Sequence, residues 1–144
     1  MPILSRIEEE SDLTVVEFTD PWTVDDYKAA YPPVGNLTKY MLCDFSRSQN
    51  LHWLDRSVFE EVSAYQGAYD QGRVGGASAY VLPDEGSVLL FNLYISITEV
   101  SPDRLSGIAR KIFRDVEEAR NWLSDQAAKN RLAGFDDHAT KICV

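Results

Sequence analysis

The side chains that most often do chemistry are scarce in this chain and far apart. His52 and His138 are its two histidines and Cys43 and Cys143 its two cysteines, and none stands at metal-ligand spacing from another. Asp136-Asp137-His138 lies in a polar C-terminal stretch and reads as solvated surface, so no metal is expected. Cys43 closes the apolar run Tyr40-Met41-Leu42-Cys43, where nothing local would lower a thiol pKa; it reads as a small core residue. Cys143 is second from the end, not at the position prenylation requires. Gly72-Arg73-Val74-Gly75-Gly76 has the glycines of a phosphate cradle but precedes a strand instead of opening a helix. Glu8-Glu9-Glu10 and Glu117-Glu118 read as solvated faces or caps, not as an acid–base pair. Because no nucleophile, base and oxyanion donor converge, neither catalytic residues nor a cofactor are expected.

Two other groups of residues carry the functional reading. Asp55-Arg56-Ser57-Val58-Phe59 marks a helix start. Ser57, at the second helical position, lies over unsatisfied amides and the positive end of the helix dipole. A phosphate there would have Arg56 beside it, which makes Ser57 a phosphorylation candidate; Asp55 and Ser57 also serve as ordinary capping residues. The second group is aromatic. Trp22, Tyr27, Tyr31, Trp53, Tyr65, Tyr69, Phe91 and Tyr94 all fall on helices or helix starts. Such rings fill the layer between helix and sheet, or in surplus they line an apolar pocket or a contact patch.

Charge narrows the partners. The net charge of −9 repels phosphate backbones and acidic headgroups, so nucleic acid and anionic membranes are not expected. No apolar run approaches membrane-spanning length and no signal-peptide core opens the chain, which leads to a soluble cytoplasmic protein. With 44% hydrophobic residues in 144, one domain over residues 1–128 and a tail over 129–144 are expected.

The elements that would position these residues are legible from pattern. Residues 3–9 and 13–19 alternate and read as an N-terminal hairpin. Thr23 and Asp26 form a capping box, with Trp22 and Tyr27 as hydrophobic staple, for a helix that Pro32-Pro33 must end. Tyr40–Cys43 reads as a strand buried on both faces. Leu54, Val58, Val62, Tyr65 and Tyr69 recur at helical spacing behind the N-cap Asp55, with Leu54 and Phe59 as staple. Residues 77–82 read as a strand stopped by Pro83. Residues 86–99 fit both alternation and a helix face. Helix is chosen because strands at 77–82 and 109–114 need a crossover to lie parallel. Asp115 and Glu118 form a second capping box, and Val116 to Ala128 is the last helix. A single-domain α/β two-layer sandwich follows, with a mixed, mostly parallel sheet and about four helices.

In this order of elements the chain resembles the SpoIIAA-like family of the STAS superfamily, and through it the CRAL-TRIO lipid-carrier fold. The carrying pieces are Leu13–Phe18, Met41–Phe45, Ala79–Pro83 and, most specific, Ile112–Leu123 with its acidic cap and Ala-x-x-Trp-Leu ending. In regulatory STAS domains an Asp-Ser-Ser/Thr-Gly loop opens a helix, and its second hydroxyl residue is phosphorylated. Asp55-Arg56-Ser57-Val58 is the matching place: Asp55 and Ser57 fit, Arg56 and Val58 depart. The resemblance implies a non-enzymatic regulatory module that binds a protein partner around Asp55–Phe59, and it is compatible with a homodimer. The CRAL-TRIO likeness implies the alternative, a carrier or sensor of a small apolar ligand held by Trp53, Tyr65, Tyr69, Phe91 and Tyr94.

Overall fold

A computed structural model describes residues 2–31 and 38–143. Pro32-Pro33 and the side chains of His138 and Cys143 lie outside the described residues. Five strands form one sheet in the order β1-β2-β3-β4-β5. β1 (Ile3–Glu8) and β2 (Leu13–Thr19) are the expected hairpin, turning at Asp12 with φ 51°, and they pair antiparallel with Ile3 opposite Phe18. β3 (Tyr40–Arg47), β4 (Ala77–Val81) and β5 (Ala109–Phe113) then add in parallel, with Val15, Leu42, Ala79 and Lys111 aligned across them. β3 outruns the apolar stretch that identified it, because Asp44, Phe45 and Ser46 resume alternation once the strand leaves full cover.

α1 (Val24–Ala30), α2 (Arg56–Gly67) and α3 (Glu85–Val100) cross between successive parallel strands. A sheet that grows in one direction through right-handed crossovers puts successive helices on one face. All three therefore bury their apolar sides in a single layer with Val16, Phe18, Cys43, Phe45, Tyr80 and Leu82. Residues 86–99 are helical, as the crossover argument required. Thr23 and Asp26 form the reciprocal capping box, and Trp22 and Tyr27 both pack against Phe18, at 4.9 and 6.1 Å between ring centres.

α4 (Val116–Cys143) lies across the opposite face, where Ala77 and Ala79 leave room for Ala119 and Leu123 to approach Leu42 and Val81. Arg120 ties it to the hairpin through a two-pronged bond to Glu8, at 3.0 and 2.9 Å. Asp115 accepts from the Glu118 amide at 3.3 Å, but the reciprocal half of the expected box is absent among the described residues. The helix also continues past Ala128, its expected end. Lys129 to Ala133 contain no proline, and a single Gly134 costs a helix only about 1 kcal/mol. No helix among the described residues is long and apolar enough to cross a membrane.

Candidate functional site

The start of α2 is fixed from below by the end of β2. Asp20 follows Thr19 directly, and its carboxylate reaches over the chain leaving β3. It accepts from Ser48 Oγ at 2.7 Å and from the amides of Gln49 and Asn50 at 2.7 and 2.9 Å. Burial works to raise the Asp20 pKa, yet these three bonds hold it below its ordinary value, so the group stays ionised at neutral pH. Trp22 Nε1 donates to the same Ser48 Oγ at 2.8 Å, and Leu51 and Leu54 sink into the core. The loop 48–55 is thereby pinned at three places before the helix begins.

Asp55 caps α2: its Oδ1 accepts from the Val58 amide at 2.9 Å. Arg56 and Ser57 occupy the first turn, where no preceding helical carbonyl is available to their amides. Both side chains are exposed, and Arg56 Nε donates to Glu60 at 2.9 Å, one turn on. Val58 is half-buried. Phe59 turns fully inward, against Phe91 at 5.7 Å and Tyr94 at 5.4 Å. Of the five residues expected to meet a partner, Asp55, Arg56 and Ser57 thus form the surface and Phe59 anchors it from behind.

The aromatic set divides in the same way. Phe18 stacks on Phe45 at 4.1 Å between centres, Phe91 meets Phe45 tilted at 4.8 Å, and Tyr94 closes on Phe91 and Tyr80 at 6.0 Å each. The space these rings leave beneath α2 and α3 is about 40 Å³. That volume holds a water or two, whereas pockets for drug-sized ligands run from about 300 Å³ upward. Phe91 and Tyr94 line it; Trp53, Tyr65 and Tyr69 do not. Tyr65 and Tyr69 instead bond each other's hydroxyls at 3.1 Å, and Tyr65 donates to the Lys28 carbonyl at 3.2 Å, tying α2 to α1. Trp53 belongs to a different feature. With Asp20, Pro21, Trp22, Thr23 and Asn50 it lines a surface crevice of about 220 Å³ at the carboxyl ends of β2 and β3.

Cys43 is enclosed in the core, and desolvation pushes its thiol up to about 12, which keeps it protonated at neutral pH. A network that no sequence pattern announced lies behind α2. Asp70 and Arg104, 1% and 3% exposed at their side chains, pair in fork geometry at 2.6 and 2.8 Å, while Arg104 Nη1 also reaches Ser63. Nearby, Arg73 is 2% exposed and donates to the Ala77 carbonyl and Ser78 Oγ, with its Nε left without a partner among the described residues. Asp70 and Arg104 are 34 residues apart, so nothing local signals their meeting. The Asp20 clamp had a faint signal: an acid directly after a strand, facing a Ser-x-Asn loop.

Comparison with family models, with curated proteins and with solved structures finds no match to this chain.

Proposed function

We propose that the chain is a non-enzymatic, cytoplasmic interaction module of the SpoIIAA-like STAS type, which binds a protein partner at the start of α2. The observation that carries this reading is the exposed Asp55-Arg56-Ser57 turn, capped by Asp55 and held on a loop that Asp20 and Trp22 fix in place. Such a turn presents open amides and a hydroxyl in one defined arrangement, so a partner meets a surface that needs little ordering. The near-absence of space beneath α2 and α3 weighs on the same side, because it leaves contact to the exterior.

Ser57 is the switch in this proposal. A phosphate on it adds close to two negative charges at the helix start and draws Arg56 away from Glu60. An acidic or apolar partner surface would then be repelled, while the fold, which does not use the Ser57 side chain, is unaffected. Ser57→Glu and Ser57→Ala are to be compared with the unchanged chain in a quantitative pull-down. Loss of a partner with Glu and its retention with Ala is the expected pattern; equal recovery with all three argues against a switch.

A further inference from the structure

The crevice at the carboxyl ends of β2 and β3 has a chemistry of its own, separate from the Ser57 turn. Two indoles line it: Trp22, almost wholly buried, and Trp53, half-buried, pack edge to face at 4.8 Å with their planes at 70°, so Trp53 offers most of the open ring surface. Pro21 adds apolar surface, and Asp20 is part of the lining. We propose that this crevice is a binding site for a small alkylated ammonium ion, the quaternary head group of choline being its simplest form.

Several features favour that occupant. Aromatic faces attract cations through the ring quadrupole, with indole the strongest of the three ring types. Asp20 supplies a full negative charge, and among the described residues no lysine or arginine pairs with it. Its charge is held in place by Ser48, Gln49 and Asn50, so no rearrangement is needed when a cation arrives. Trp22, Trp53 and Pro21 give the crevice mostly apolar walls, against which a methylated ammonium sets its own apolar skin. The volume of about 220 Å³ suits a head group and excludes a long-chain ligand. An overall charge of −9 adds a favourable field for any cation.

The test is a titration of the full chain with choline chloride, followed by tryptophan fluorescence. The control ligand is 3,3-dimethylbutan-1-ol, the same shape without the charge. Saturable quenching by choline, at least fivefold weaker with the neutral isostere, is the expected result. Trp53→Ala should weaken choline binding at least fivefold and Trp53→Phe less, with circular dichroism unchanged for both because Trp53 is only part-buried. Free choline and a lipid head group share this chemistry. Binding to phosphatidylcholine but not phosphatidylglycerol vesicles would assign the lipid source, and response to choline alone the free one. Equal quenching by the isostere, full affinity in Trp53→Ala, or response to neither choline nor vesicles overturns the site.

Discussion

Asp70 and Arg104 show what single residues do in this protein that no neighbouring sequence reports. Removing a carboxylate and a guanidinium from water is costly, and burial opposes the charge on Arg104, but the two short bonds it donates to Asp70 keep its pKa raised. The Leu105 amide adds a third bond to the same carboxylate at 3.0 Å. Arg104→Met should therefore lower stability by about 3–5 kcal/mol, since it strands the Asp70 charge in the interior. Urea denaturation measures this, and the double variant Asp70→Asn with Arg104→Met should recover most of the loss. If the single variant loses less than about 1 kcal/mol, the pair is not what anchors the 101–108 loop to the turn that follows α2. The residues that could be read from sequence were those whose partners lie within one turn: Thr23 with Asp26, and Asp55 with the Val58 amide. Asp70 was not legible and Asp20 only faintly, because their partners come from elements brought together only by the fold.

Among the elements, α2 carries the functional argument, and its start makes a prediction that separates switch from scaffold. Asp55→Ala removes the cap and should cost about 1 kcal/mol. Ser57→Glu places a negative charge at the positive end of the helix and should leave stability unchanged or raise it by about 0.3–1 kcal/mol. Thermal and urea denaturation of the two variants should thus move in opposite directions. A destabilised Ser57→Glu protein would mean that any partner loss reflects damage to the helix. Element types were legible wherever a cap or a stripe marked them. For α3 the local pattern was undecided, and the need for a crossover between parallel strands resolved it. The length of α4 and the far end of β3 were not legible, because polar residues with no breaker leave both outcomes open until neighbouring elements are placed.

At the scale of the molecule, the order β1-β2-β3-β4-β5 puts three helices over one face and one over the other. That arrangement brings the ends of β2 and β3, the clamped loop and the start of α2 to one rim. It also places the aromatic helix residues over β-strand aromatics, where they interlock. The sequence showed an excess of rings, but not whether they would meet one another or enclose space. That depends on angles between helices, which no periodicity encodes. Phe18, Phe45, Phe59, Phe91 and Tyr94 converge until about 40 Å³ is left. On this reading the interior is a support and the rim does the binding. Native mass spectrometry of the chain, purified without denaturation and sprayed before and after incubation with fatty acids, tests that division most directly. The bare chain is expected in both spectra; an apolar adduct that survives purification, or one that forms at one-to-one ratio on incubation, would contradict it.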